Sequence, residues 1–442
     1  MWLRLKGPAL MTRRIKWLVS ASLLIGSYGP AARGQTINAN TCGAVDVQTA
    51  INSATVGSTV NVPAGSCSWV GSTITLAKAI TLQGAGQASL GTSCPLSGGQ
   101  TNITLGGNQS VIITKQTGVV RIQKFNFDTG AGGSPVYPIV IQGSWQGTQP
   151  VIVNNNSFCT TGNVTNIFDI FVPGGAIFSN NIFVDTGFNG CCFSIKVGNS
   201  SQSWTTADSL GMHDTSGLLN HYIEGNTFYG ASNGVTDCDD GCRMVVRHNT
   251  FSFGGLNSHG QDTSPQGMRE WEIYNNQFLY PNSSSTLANV QQYIWIRGAT
   301  GVIFGNSFQH ISGQTWGTKP EIKMSIRGAE DVRPQGSCAQ VSYPVPHQLG
   351  QNNNGSSDFT DPVYLWSNTM GSGAPVLATG WNWGNPCGLN FNNFFQSPRD
   401  YVDNGSAGGA KPGYTPYTYP HPLAAGSGTP PAPPTNLQGI VI

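Results

Sequence analysis

Apolar and polar positions alternate in short runs along most of this chain. Val151-Ile152-Val153, Met244-Val245-Val246, Trp271-Glu272-Ile273 and Val302-Ile303-Phe304 are β-branched or aromatic segments separated by Gly, Asn and Ser, without ten-residue helical patterns. Runs of this kind predict short strands. Each leads into an Asn, any residue, then an aromatic. The anchors are Asn156-Ser157-Phe158, Asn181-Ile182-Phe183, Asn226-Thr227-Phe228, Asn249-Thr250-Phe251, Asn276-Gln277-Phe278, Asn306-Ser307-Phe308 and Asn393-Phe394-Phe395, with Asn368-Thr369-Met370 a weaker copy. Successive Asn positions differ by 25, 45, 23, 27, 30, 62 and 25 residues. One unit of about 23 to 30 residues therefore repeats, and a period in that range signals stacked units that share a core. The Asn is expected to take a left-handed turn conformation and to bond the next coil's Asn through its amide. The Phe two residues later points the same way and stacks inside. The pattern predicts an all-β parallel β-helix.

Departures from the rhythm mark the ends and the loops. Residues 45–54 (VDVQTAINSA) place Val47, Ile51 and Ala54 on one helical face, a short cap for the open end of a solenoid. Residues 197–220 and 330–362 are polar interruptions and predict side loops, the first carrying Trp204 and His213. From about Pro398 the strand pattern fades, and 424–442 is a Pro- and Gly-rich tail expected to be disordered. Residues 1–34 read as a secretory signal peptide: Arg13, Arg14 and Lys16 precede an apolar run from Trp17 to Ile25, and Ala32-Arg33-Gly34 offers small residues for cleavage. Met11 would begin a more ordinary signal than Met1. The β-helix domain is thus expected over 35–423, in a secreted or periplasmic protein with no membrane span.

Composition sharpens this picture. Gly is 58 of 442 residues and charged residues are 9%, far from a helical protein's usage. A net charge of +1 gives no footprint for nucleic acid. All ten cysteines follow the leader, and an even number in an exported chain favours disulfides. Cys42 with Cys67, Cys159 with Cys191 or Cys192, and Cys338 with Cys387 are the expected pairs. Cys238 and Cys242 lack zinc spacing with the nearby histidines, so a structural disulfide is expected there rather than a metal.

The stretch from VQTAIN through STVNVPAG to ITLQGAG resembles the start of the pectate-lyase-like superfamily of right-handed parallel β-helices. YIEGNTF, CRMVVRHNTF, SHG, REWEIYNNQF, IRGATGVIFGNSF, DPVYLWSN and KPGYTPYTYPHPL resemble a group of secreted bacterial members. The resemblance covers about residues 40 to 423. It implies a right-handed, single-stranded solenoid and leaves the chemistry open, because lyases, hydrolases, epimerases, esterases and adhesins share the fold.

Chemistry is therefore sought in the register of the coils. Asp239 lies 13 residues after Asn226 and Asp262 lies 13 after Asn249, while Asp237 and His259 lie 11 and 10 after the same anchors. Arg243 and Arg269 precede the following anchors by 6 and 7 residues, and Asp240 and Arg297 precede theirs by 9. Equal offsets on neighbouring coils sit about 4.8 Å apart, so these charges are expected on one flank. Two chemistries suit them. In β-elimination on a uronic acid polymer, Arg243, Arg269 or Arg297 clamps the carboxylate, His259 is the base, and Tyr274 or Tyr293 protonates the leaving group. Asp237, Asp239 and Asp240 are oxygen ligands suited to calcium, the one cofactor considered beside none. In hydrolysis Asp239 or Asp240 pairs with Asp262. A third reading is a binding-only β-helix whose aromatics Trp204, Trp271, Trp295 and Trp316 grip sugar rings. The lyase is the preferred reading, acting as a monomer on an acidic polysaccharide. Glu224 and Arg247, each two before an anchor Asn, are expected as a cross-rung ion pair, and His248 as structural.

Overall fold

The structure is a computed structural model that describes residues 34–91, 93–106, 109–129, 137–145, 147–160, 164–185, 193–198, 214–230, 234–252, 254–260, 267–280, 293–310, 320–326, 343–345, 347–354, 357–381, 388–406 and 408–424. Three parallel sheets wrap around one core. The first has twelve strands, from Thr36–Asn38 to Tyr401–Asp403; the second has ten, from Gly65–Ser68 to Thr369–Met370; the third has ten, from Ile74–Leu76 to Leu377–Trp381. Each coil visits them in that order. The strand Arg243–Arg247 lies in the first sheet, Thr250–Ser252 in the second and Leu256–Ser258 in the third, and the next coil repeats with Glu270–Tyr274. This is the right-handed parallel β-helix that the resemblance implied.

The repeat works as the anchors require. Asn181 and Asn226 show the unit: the Asn226 side-chain oxygen accepts from the Asn181 backbone N–H at 2.9 Å and from its amide at 3.0 Å. The same step continues through Asn249, Asn276, Asn306 and Asn368. Each of these buried amides is satisfied, which a buried polar column demands. One detail differs from expectation. The left-handed residue is not the ladder Asn but the residue before it: Asn155, Asn180, Gly225, His248, Asn275, Gly305 and Ser367 all have φ between 53° and 64°. Asn and Gly dominate because they reach this region at least cost. Phe127, Phe158, Phe183, Phe228, Phe251, Phe278 and Phe308 then stack inside, with successive centroids 4.7–5.4 Å apart.

The anchor Asn393-Phe394-Phe395 does not belong to the ladder. Phe391–Asn393 is a short 3-10 helix, and Phe394 and Phe395 fold back on the core. The strand pattern also lasts beyond Pro398, since Tyr401–Asp403 pairs with Val363–Leu365. The helix Ala44–Ser53 buries Val47, Ala50 and Ile51 against the first coils.

Disulfides join Cys42 to Cys67, Cys94 to Cys159, and Cys238 to Cys242. The first and third agree with expectation. The second corrects the partner of Cys159: the 84–100 loop folds over the second sheet and carries Cys94 to it, a long-range return that coil spacing does not reveal. Cys191, Cys192, Cys338 and Cys387 lie outside the described residues. No helix among the described residues is long and apolar enough to cross a membrane.

The segment KPGYTPYTYPHPL becomes a strap over the outer face of the first sheet. Arg247 donates to Glu224 at 2.6 Å, to the Tyr274 hydroxyl at 2.8 Å and to the Tyr417 and Thr418 carbonyls. The His421 backbone N–H bonds Glu224 at 2.8 Å, and the Tyr414 hydroxyl bonds Glu272. The expected ion pair is therefore present, sealed beneath the strap.

Candidate functional site

Alternation along a strand sends every second side chain of the third sheet outward. Register then lines up one column on its outer face: Asp169 beside Lys196, Lys196 beside Asp237, Asp237 beside Asn257, Asn257 beside Trp295, and Trp295 beside Lys323. Neighbours in such a column are about 4.8 Å apart. Two further groups reach it from the short connections to the first sheet. His259 follows Leu256–Ser258, and Arg297 follows Ile294–Ile296.

Asp237 is the hub. Its carboxylate bonds the Lys196 ammonium on one side, and His259 Nδ1 lies 3.0 Å from its Oδ1 on the other. Asp239 Oδ2 is 3.5 Å from the same Nδ1. Burial opposes charge on Asp237, but His259 and Lys196 more than offset it and hold the carboxyl well below its usual range. Burial likewise opposes charge on Lys196, yet Asp237, Asp239 and Asp169 keep its ammonium above the ordinary value. Asp239 is pushed up to about 6, chiefly by burial, and Asp169 to about 6 for the same reason. The disulfide between Cys238 and Cys242 closes the turn that carries Asp239 and Asp240. His259 Nδ1 thus faces the carboxylates of both Asp237 and Asp239. The Lys196 and His259 side chains are 21% and 18% exposed, so solvent reaches them.

Two rungs on from Asp237, the Trp295 indole has two cations close to its ring, Arg297 at 4.8 Å and Lys323 at 4.9 Å. Arg297 is anchored by a 2.6 Å bond to the Ser258 carbonyl, next to His259 in sequence. Burial and the neighbouring Arg297 both lower the pKa of Lys323. A column with this order is anionic around Asp237 and cationic around Trp295.

Several sequence assignments change. Arg269 is fully buried and donates to the Asn352 side chain and the Asn353 carbonyl, so it does not face a groove. Arg243 is fully buried too, held by Asn220 at 2.9 Å with Glu270 at 3.7 Å. Tyr274 faces outward on the first sheet beneath the strap, bonded to Arg247. Tyr293 packs inside against Phe278 and Phe308, and Trp271 is a core residue whose indole donates to the Gly298 carbonyl. Neither tyrosine is placed to protonate a leaving group on this flank. Trp204, Asp262 and Trp316 lie outside the described residues, as does most of the expected 197–220 wall.

The calcium assignment fits poorly. Asp237 is committed to Lys196 and His259, and Asp239 to His259 and the Asp240 backbone N–H. Among the described residues no group of three or more His, Cys, Asp or Glu side chains is arranged to hold a metal. Asp237, Asp239 and Asp240 do not converge as a ligand set among the described residues.

Sequence reasoning missed Lys196, Lys323, Asp169 and Asn257. They carried a weak signal, because Lys196, Asp237, Asn257, Trp295 and Lys323 follow their ladder Asn by 15, 11, 8, 19 and 17 residues. The connections between the second and third sheets differ in length, so a ruler set on the Asn turn loses register there.

No family model matches the chain, and no curated protein matches it. Solved structures do. An alginate lyase from Paenibacillus sp. str. FPU-7 is similar over 79% of this chain and 99% of its own, at 11% identity and a TM-score of 0.35. A variant of AlyGC, described as a PL6 family alginate lyase, is similar over 86% of this chain at 12% identity and a TM-score of 0.39, and the match spans 52% of that protein. The A-module of a mannuronan C-5 epimerase from Azotobacter vinelandii is similar over 83% of this chain and 95% of its own, at 11% identity and a TM-score of 0.29. At these identities and scores none of them bears on substrate or reaction.

Proposed function

We propose that the outer flank of the third sheet is the catalytic groove of a polysaccharide lyase that cleaves a uronate-containing polymer by β-elimination. The observation that carries the reading is the Lys196–Asp237–His259 contact, a solvent-reached imidazole beside a buried carboxylate that His259 and Lys196 together keep ionised. Arg297, one rung from His259, and Lys323, two rungs from it, provide positive charge for the uronate carboxylate, and Trp295 provides a ring face for the sugar. Neutralising that carboxylate makes the C5 proton removable. His259 Nε2 takes it, its electrons form the C4–C5 double bond, and the C4–O bond breaks. The departing oxygen takes a proton, for which Asp239 is suited because burial raises its pKa to about 6. Asp237 positions the base and does not itself react. Three disulfides among the described residues fit an exported enzyme.

The raised Asp239 pKa also supports hydrolysis as a second reading, with Asp239 as the acid. A panel of acidic polysaccharides separates the two. New reducing ends with absorbance of unsaturated uronides support the lyase; reducing ends without that absorbance sink it in favour of a hydrolase. Binding without either product leaves only a carbohydrate-binding β-helix.

A further inference from the structure

A second groove lies on another side of the solenoid, along the turn between the first and second sheets. Its volume is about 700 Å³, within the usual range for ligand sites. Its floor is the turn column of five successive coils, and its lining among the described residues includes no charged side chain. One wall is Gln87 and Leu90 from the 84–100 loop, pinned where the Gln87 amide donates to the Asn156 and Asn180 carbonyls. The other is Tyr419 of the strap, whose ring stacks on His248 with centroids 3.7 Å apart and planes at 16°. Tyr419 is 37% exposed.

The left-handed turn residues shape this groove. Gly225 and Gly305 are the low points, because a Cβ there would meet the side-chain oxygens of Asn180 and Asn275 at 2.8 Å and 2.3 Å. The side chains of Asn180, Thr227, Asn275 and Gln277 line it and make no hydrogen bond to the described protein. They are thus available to a ligand, in contrast to the ladder Asn residues one position on, whose amides are consumed by the next coil. Burial and Arg247 lower the His248 pKa to about 4, so its ring adds no charge at neutral pH.

We infer that this groove is a binding site for a linear, neutral oligosaccharide, distinct from the charged flank of the third sheet. The ligand class follows from the lining. Open amides and a hydroxyl spread over three of these coils suit a polymer that presents hydroxyls on successive sugars. An exposed aromatic ring beside them suits a pyranose face. A uronate chain would bring carboxylates to a groove whose described lining holds no cation, so charge selects against it. The site does not depend on the lyase reading, since it would hold a neutral stretch of polymer whatever the other flank does to it.

The test is saturation-transfer NMR with β-1,4-linked hexaoses of glucose, mannose and xylose, each titrated separately, and hexamannuronate as the charged control. At least one neutral hexaose is expected to show transfer that falls at least tenfold in Tyr419→Ala and in Gln277→Trp. Tyr419→Ala also loosens the strap, whereas Gln277→Trp fills the groove from an exposed position and leaves the strap alone. The proposal is overturned if no neutral hexaose binds, if binding survives in Gln277→Trp, or if hexamannuronate binds there as well as the neutral sugars do.

Discussion

Two outer faces of this solenoid carry the same device with opposite exposure. On the first sheet Arg247 pairs with Glu224 one rung away; on the third, Lys196 pairs with Asp237 one rung away. The strap closes over the first pair, supplies two carbonyls and a backbone N–H, and leaves both side chains at most 2% exposed. Nothing equivalent closes the second among the described residues, and Lys196 and His259 remain within reach of solvent. A cross-rung ion pair is thus not a site by itself. What separates the two faces is that a partly exposed imidazole, His259, stands beside the second pair, whereas the strap covers the first.

The contrast can be broken most forcefully on the sealed face. Arg247→Ala leaves Glu224 buried without its partner and is expected to cost about 3–5 kcal/mol in denaturant unfolding. A loss under 1 kcal/mol would mean that the strap does not seal the pair. On the open face His259→Ala is expected to lower turnover about 10²–10⁴-fold with substrate binding largely kept, as for a lost general base. Unchanged turnover there removes His259 from the reaction. Trp295→Ala takes away the surface between Arg297 and Lys323 and should raise KM about tenfold with a smaller change in kcat; the reverse split would argue against a binding role.

The smallest effect concerns pH. The Asp169 carboxyl has its folded pKa raised from 3.8 to about 6, so the folded state binds this proton more tightly than the unfolded chain. Its contribution to stability is full below the ordinary value and fades as pH rises through 6. Asp169→Asn, which cannot ionise, should therefore gain stability relative to wild type progressively as pH rises from 4 to 7. Melting curves that shift in parallel across that range would show that Asp169 does not titrate near 6.

The sequence was clearest where one residue type repeats for one physical reason. Asn226, Asn249, Asn276 and Asn306 sit at turns of fixed length, so their spacing reported the coil directly, and Glu224 with Arg247 was legible because both lie two residues before that turn. Asp237 and His259, which the structure brings together, were placed on one flank by the same ruler. Lys196, Asp169 and Lys323 were not, since the variable connections ahead of the third sheet scatter their offsets. Arg243 and Arg269 shared the register of the site but lie buried beneath it, and a ruler along the axis carries no information on depth. The strap was unreadable for a different reason: Tyr414, Tyr417 and His421 return to coils some 140 to 200 residues earlier, and no periodicity marks that return.

The most direct test is to measure turnover and melting temperature side by side for Lys196→Met and Arg247→Met on whichever acidic polymer is cleaved. If the open face reacts and the sealed face holds, Lys196→Met keeps its melting temperature within a few degrees and loses at least tenfold in turnover. Arg247→Met should instead melt markedly lower while its remaining folded fraction turns over substrate normally. The opposite pattern, with Lys196→Met unfolding early and its folded fraction fully active, would contradict the assignment of the third-sheet flank as the catalytic groove.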